Sequence, residues 1–416
     1  MDIVFNGGCA RGKVDVPPSK SYTHRVIILA ALSGGRCRIT NPLVSFDTLA
    51  TVDAVKFMGA KVERTDDGFI IESGSIHAPD STIDVKNSGT TMRLMTGIAA
   101  LFDSETEITG DESIRKRPMG PLLNALESCG VKCSSNDGKA PVRIKGPVTS
   151  DVIKVDGSMS SQFVSSMLMM SPLVGRRIEI IIEGKTVSRP YIDITLAMMR
   201  RFGIRVDEKE NGFVVEPQKY VPCDFKVPSD FSSSAFPLVA GGLSGEVSVS
   251  GLDMSDPQGD KKIVDILRDV GCRITEKGDT ITCSSNGRPK AMDIDISNVP
   301  DLFPILSVLM STAVGTSRLY GAPQLRFKES DRIASVEKML RILGADIEGT
   351  DDGCIIRGVP RLKGGRIDHL GDHRLMMSAA IASLISDGPV SMIDDECWNV
   401  SYPGFVEQMR SIGLRC

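Results

Sequence analysis

Apolar residues recur along this chain in two helical patterns. The first is a run rich in Ala, Met and Leu, such as Val26 to Leu32 or Leu94 to Leu101, apolar on too many faces for a surface helix and so predicted to be buried. Such runs start in small polar clusters near Ser21, Thr90, Ser161, Ser232, Asp301 and Asp372, at intervals of 69, 71, 71, 69 and 71 residues. The second is an amphipathic helix closed by a glycine: Gly59, Gly130, Gly203, Gly271, Gly344 and Gly413, spaced by 71, 73, 68, 73 and 69 residues. After Gly59 the chain reads Ala60-Lys61-Val62-Glu63-Arg64-Thr65-Asp66-Asp67-Gly68-Phe69-Ile70-Ile71. Alternation on both sides of a polar turn predicts a helix stop followed by a hairpin. Gly203 to Val215 and Gly344 to Ile356 read the same way. Two unrelated markers keeping one beat over six units define an internal repeat. Each unit is predicted to hold a buried helix, an amphipathic helix and about four strands, in an α/β architecture.

Two stiff connectors divide the units three and three. Val16-Pro17-Pro18-Ser19 precedes the first buried helix, and Val221-Pro222-Cys223-Asp224-Phe225-Lys226-Val227-Pro228 separates the third unit from the fourth. Residues 2 to 16 read as one or two strands, while the sixth unit stops at Gly413-Leu414-Arg415-Cys416 without length for its hairpin. The N-terminal strands are the natural replacement. That predicts one domain from residues 1–17 plus 228–416 and another from 18–227, with two chain crossings forming a hinge. Gly7-Gly8-Cys9-Ala10-Arg11-Gly12-Lys13-Val14 nearly matches a phosphate-binding P-loop. It has Val14 where a magnesium-binding hydroxyl is needed and no helix after it, so it reads as a turn between strands.

Composition then excludes several classes of function. A net charge of −4, without long basic runs, argues against nucleic acid as partner. The ten cysteines are scattered, with Cys129 and Cys133 the one close pair, and the four histidines lack metal-ligand spacing. Neither a disulfide framework nor a metal site is expected. The N-terminus lacks a basic-then-apolar leader and no apolar run approaches spanning length, so a cytoplasmic protein without membrane attachment is expected, acting as a monomer.

Candidate chemistry lies at the starts of the buried helices. If the units share a centre, several positive helix ends converge there and attract anions. Asn87-Ser88-Gly89-Thr90-Thr91-Met92-Arg93 has a glycine for close approach, capping hydroxyls and a cation one turn in, which suits either a plain cap or an anion site. In Lys20-Ser21-Tyr22-Thr23-His24-Arg25, Ser19 or Ser21 can cap, and Lys20 and Arg25 flank a positive helix end where cations are unwelcome unless an anion joins them; His24 reads as a packing residue. Arg115-Lys116-Arg117 ahead of Pro118 is either a solvated loop or a movable lid lending one Arg. Ser158-Met159-Ser160-Ser161-Gln162 offers hydroxyls for phosphate or a sugar-like ring. Asp301 opens a helix, where its ionised form is favoured, as a base or as a simple cap. In Lys328-Glu329-Ser330-Asp331-Arg332 a helix would put Lys328 and Arg332 on one face. Gly371-Asp372-His373-Arg374 precedes the last buried run.

Taken together and in order, these motifs resemble the 5-enolpyruvylshikimate-3-phosphate synthase family of enolpyruvyl transferases. The likeness is carried by Lys20-Ser21, Arg25, Asn87-Ser88-Gly89-Thr90, Arg93, Arg117-Pro118-Met119, Ser160-Ser161-Gln162, Ser188, Tyr191, Asp301, Lys328 to Arg332 and Asp372-His373-Arg374. It implies the two-domain enolpyruvyl-transferase fold, three repeated units with buried helices per domain, and transfer of the enolpyruvyl group of phosphoenolpyruvate to the 5-hydroxyl of shikimate 3-phosphate, without cofactor or metal. By the same likeness Asp301, Glu329 and Lys20 are catalytic. Shikimate 3-phosphate falls to Lys20, Ser21, Arg25, Ser160, Ser161, Gln162, Ser188, Asp301 and Lys328, and phosphoenolpyruvate to Lys20, Gly89, Arg117, Gln162, Arg332 and Arg374. The sequence departs from the family pattern at Val400, where many members carry Lys, at Gln324, where some use Asn and which is left out of the site, and at Thr91, where Ala is frequent. Two alternatives stand beside this reading. A sibling enzyme that uses UDP-N-acetylglucosamine has a cysteine on the loop before the clamp arginine, and Thr109 to Arg117 contains none. A non-catalytic anion-binding repeat protein would not need Asp301 and Glu329 together with the cations.

Overall fold

Alternation after each glycine stop becomes, in space, one small sheet per repeat. A computed structural model describes residues 2–79 and 81–416. In the first unit α1 (Lys20–Leu32) leads to strand Arg36–Thr40, helix α2 (Phe46–Phe57) and the hairpin Lys61–Thr65 and Gly68–Glu72. The second hairpin strand pairs antiparallel with Arg36–Thr40, whose other edge takes the short parallel strand Phe225–Lys226. The same helix pair returns as α3 (Gly89–Ala99) and α4 (Gly120–Ser128), then α5 (Ser161–Met170) and α6 (Arg189–Arg201). It returns again as α7 (Phe231–Ser244) and α8 (Lys262–Asp269), α9 (Phe303–Ser311) and α10 (Arg332–Ile342), and α11 (His373–Ala382) and α12 (Phe405–Ser411).

The two helix types differ as their patterns predict. Every residue of α9 and α11 is buried. The hydroxyls of α9 are satisfied within the helix, Ser307 Oγ donating to the Phe303 carbonyl at 2.8 Å and Ser311 Oγ to the Val308 carbonyl at 2.7 Å, whereas Ser378 Oγ of α11 is buried without a hydrogen-bond partner. The amphipathic helices end where the chain turns left-handed: φ is +93, +89, +84, +101, +81 and +103° at Gly59, Gly130, Gly203, Gly271, Gly344 and Gly413. A side chain there would be strained, and at Gly59 a Cβ would also lie 2.7 Å from His77 Nε2.

The chain forms two compact domains, Met1–Pro17 with Pro228–Cys416 (domain I) and Pro18–Val227 (domain II). Each has its own apolar core, the first including Phe231, Phe303, Leu375 and Phe405, the second Leu29, Leu94, Phe163 and Phe213. The expected use of the N-terminal strands is half corrected. Asp2–Phe5 does complete the sixth sheet, antiparallel to Val390–Ile393, and that sheet has three strands among the described residues. Arg11–Asp15 instead lies parallel to Glu246–Ser250 in the fourth sheet. It fills the edge that Phe225–Lys226 fills in the first, so each domain keeps the strand on which the chain leaves it. Gly8 bridges to Leu414, and the P-loop-like segment runs into strand rather than helix.

Candidate active site

In domain II the connector Val16 to Ser19 delivers an extended chain into α1, whose first residue is Lys20. The expected cap is absent. Ser19 stands at the N-cap position, but its hydroxyl is buried without a hydrogen-bond partner, while its carbonyl accepts from Thr23 N and Oγ1. Lys20 Nζ sits 3.1 Å from Asp47 Oδ2. Asp47 is a partner the sequence reading missed; its place in the first turn of α2, just after the capping Ser45, was the available signal. Arg25 is 1% exposed and donates to Thr195 Oγ1, the Ser21 carbonyl and the Tyr191 carbonyl, at 2.8, 2.9 and 3.2 Å. All three acceptors are neutral, and burial holds its pKa down to about 10, still cationic at neutral pH. A buried guanidinium held by neutral oxygens alone keeps its charge uncompensated, the condition in which an anion is attracted. His24, also buried, has Nδ1 2.6 Å from Thr51 Oγ1; burial, then Lys20 and Arg25, keep it neutral.

Gly89 starts α3, capped by Ser88, and a Cβ on it would lie 2.6 Å from Arg117 Nη1. The glycine is therefore what lets Arg117 lie against that helix end. Of the Arg115-Lys116-Arg117 run, Arg117 is buried and donates to Asn87 Oδ1 at 3.0 Å and Ser113 Oγ at 3.2 Å, while Arg115 and Lys116 stay exposed. Gln162 joins this group: its Oε1 accepts from Arg93 Nη1 at 2.8 Å and its Nε2 donates to Thr90 Oγ1 at 3.0 Å. Ser160 caps α5 through Gln162 N, and Ser161 is buried beside it. Ser188 is buried in a left-handed conformation (φ +55°) ahead of α6, whereas Arg189 turns to Asp193 and Glu208.

In domain I, Asp301, Lys328, Glu329, Arg332, Asp372 and Arg374 form one ionic cluster. Asp301 Oδ1 meets Arg332 Nη1 at 2.9 Å and Lys328 Nζ at 3.9 Å, and its Oδ2 meets Arg374 Nη2 at 2.9 Å. Glu329 Oε2 lies 2.6 Å and Asp372 Oδ2 2.8 Å from the Arg332 guanidinium. Burial pushes the Asp301 pKa up, but Arg374, Lys328 and Arg332 together outweigh it and hold the carboxyl well below its ordinary range. Arg332 is likewise buried, yet Asp372, Glu329 and Asp301 hold it firmly charged. The expected helical face of Lys328 and Arg332 is corrected. Asp331 caps α10 through Ala334 N, so the helix begins at Arg332 and Lys328 and Glu329 lie on the loop before it. Gln324 is not expected in the site from the sequence. It is 4% exposed with both amide atoms unpaired, which is costly unless a ligand completes it.

His369, Asp395 and Cys397 bring three potential metal-ligand atoms within 4.8 Å of one another. Both ring nitrogens of His369 are engaged, one at the Ile393 carbonyl (3.0 Å) and one accepting from Gly371 N (3.2 Å), which leaves no lone pair for an ion. No described helix is long and apolar enough to cross a membrane.

The family sequence model for EPSP synthase (3-phosphoshikimate 1-carboxyvinyltransferase) matches residues 6–409. The chain is 45% identical to the 3-phosphoshikimate 1-carboxyvinyltransferase of Methanocorpusculum labreanum over 417 residues, 99% of each chain. It is 41% identical to that of Methanocaldococcus jannaschii over 410 residues, 97% of this chain and 96% of the relative. The solved EPSP synthase of Acinetobacter baumannii superposes with a TM-score of 0.81 at 30% identity, covering 99% of this chain and 98% of that one. The enolpyruvyl transferase NikO of Streptomyces tendae, 15% identical, shares the fold with a TM-score of 0.80 over 100% of this chain and 97% of its own. With its six-unit fold and a likeness that runs nearly end to end, the chain belongs to the EPSP synthase family.

Proposed function

We propose that the chain transfers the enolpyruvyl group of phosphoenolpyruvate to the 5-hydroxyl of shikimate 3-phosphate and releases phosphate. The observation that carries the reading is Asp301, a carboxylate kept ionised by three cations beside a second carboxylate, Glu329. Asp301 is in the deprotonated form a base needs, and it gains basicity as Arg332 and Arg374 turn from it to the anionic substrate, so that it takes the hydroxyl proton as that oxygen bonds to the substituted carbon of phosphoenolpyruvate. A proton then enters at the methylene carbon. Its later loss expels phosphate and restores the double bond, so the acid of the first step becomes the base of the second.

Glu329 is assigned that second role, with Lys20 sharing proton transfer. Glu329 is tied to Arg332 as a carboxylate, the wrong form for donating a proton. We assign the remedy to the substrate: an anion taking the Arg332 guanidinium displaces Glu329 from it and frees the carboxyl to carry a proton. Arg117, Arg374 and Gly89 complete the phosphoenolpyruvate set, with Gln162 and Lys20. Ser21, Arg25, Ser160, Ser161, Gln162, Ser188, Lys20, Lys328 and Asp301 take shikimate 3-phosphate, to which Gln324 is added for its buried, unpaired amide.

Phosphate release separates the readings. With phosphoenolpyruvate present, release is expected on adding shikimate 3-phosphate and none on adding UDP-N-acetylglucosamine. The reverse would make the chain the sibling transferase, and no release with either would favour an anion-binding protein.

A further inference from the structure

Asp260 lies outside every motif used so far, yet it belongs electrostatically to the ionic cluster of domain I. It sits in the 3-10 turn Gly259–Lys261 ahead of α8 and is 3% exposed. Its Oδ2 accepts from Ser232 Oγ in the first turn of α7, while Oδ1 is buried and without a hydrogen-bond partner. Its charged neighbours come from three other elements: Asp230, which caps α7, Asp301 ahead of α9, and Arg374 in the first turn of α11. Lys261, next in sequence, directs its ammonium to the carbonyls of Met254 and Asp256.

An ionised Asp260 would have one hydroxyl donor for two oxygens and two acidic neighbours. Its cationic neighbour, Arg374, is already bonded to Asp301. Buried carboxylates in such surroundings hold a proton. Burial first, then the charge of Asp301, raises its pKa to about 7, with Arg374 and the Ser232 hydroxyl pulling the other way.

We propose that Asp260 is a positioning residue that acts in its neutral form: protonated, it leaves the Arg374 guanidinium to Asp301 and to phosphoenolpyruvate, and once ionised it competes for Arg374 and repels the incoming anion. This rests on Arg374 as a phosphoenolpyruvate ligand, as assigned above. The effect falls on affinity for that substrate more than on turnover, because Asp260 acts through Arg374 and not on a reacting atom.

The test is the KM for phosphoenolpyruvate, measured across neutral and mildly alkaline pH in the wild-type enzyme and in Asp260→Asn. The amide keeps the shape and the acceptor for Ser232 but cannot ionise. The wild-type KM is expected to rise with pH at least about threefold more than that of the variant; ionisation of the substrate is common to both and cancels. Superimposed profiles, or a steeper rise in the variant, would overturn the proposal. Ser232→Ala supplies a second arm should the amide variant fold poorly. Losing that donor favours the neutral acid, so the alkaline rise should move to higher pH, and a rise that stays or moves down contradicts the proposal. Arg374→Gln separates the two levels. If it leaves the KM unchanged, the ligand assignment fails and the proposal falls with it; if it raises the KM while the Asp260→Asn and wild-type profiles coincide, the proposal alone fails.

Discussion

At the scale of single residues, the chemistry rests on charges whose partners are distant in sequence. Asp301 collects Lys328, Arg332 and Arg374 from two later segments, and Lys20 is held by Asp47 from the next helix. The candidate cations and carboxylates were legible, because cations at a positive helix end need a reason to be there. Their partners Asp47 and Thr195 were not, since pairing across 27 or 170 residues leaves no local pattern. Lys20→Met, Asp301→Ala and Glu329→Ala are each expected to lower kcat by about two to four orders of magnitude with circular dichroism unchanged; losses within a few-fold would remove those roles. Gly89→Ala should act differently. A Cβ 2.6 Å from Arg117 Nη1 must displace that guanidinium, so the KM for phosphoenolpyruvate should rise about tenfold while thermal stability hardly moves. Asp260 also makes a stability prediction. A carboxyl whose folded pKa is raised to about 7 favours folding below its unfolded value of 3.8, and that contribution disappears as pH rises through about 7. Asp260→Asn should thus lose less stability than wild type between mildly acidic and alkaline pH. Asp301, depressed instead, stabilises above its unfolded value and loses that contribution as pH falls.

At the scale of elements, long periodic segments were readable and short or shared ones were not. The buried helices and the glycine stops follow from composition and period, and the hairpins after Gly59, Gly203 and Gly344 from alternation about a polar turn. Two-residue parallel strands such as Ile83–Asp84, Phe225–Lys226 and Ile294–Asp295 carry no period to read. The start of α10 is hard to read from sequence for a related reason. Lys328 to Arg332 fits a helical face, but Asp331 is a better cap than a helix interior residue and starts the helix after itself. Asp372 ties two elements together, capping α11 through Arg374 N at 3.0 Å and receiving Arg332 Nε from α10 at 2.8 Å. Removing Arg332 would leave Asp301, Glu329 and Asp372 short of a counter-charge. Arg332→Ala is expected to cost on the order of 3–5 kcal/mol in urea unfolding, and a loss below about 1 kcal/mol would mean the cluster is better solvated than its burial implies.

At the scale of the whole molecule, two cores and two chain crossings set which pieces are self-sufficient. Domain II is continuous from Pro18 to Val227 and contains every strand of its three sheets, so a fragment of those residues should fold alone with cooperative thermal unfolding. Domain I is discontinuous. Deleting residues 2–15 would strip the edge strand from its fourth-unit sheet and the hairpin substitute from its sixth, and should lower the midpoint of domain I unfolding well before that of domain II. The six-fold repeat was legible because two markers kept step, whereas the sharing of edge strands was not, since strand pairing across some 230 residues has no sequence period. The central claim, that an enolpyruvyl group ends on an acceptor hydroxyl, is tested most directly by identifying the product. Phosphoenolpyruvate and shikimate 3-phosphate incubated with the enzyme should give one enolpyruvyl ether for each phosphate released, seen by mass spectrometry; pyruvate and phosphate with the acceptor unchanged would contradict it.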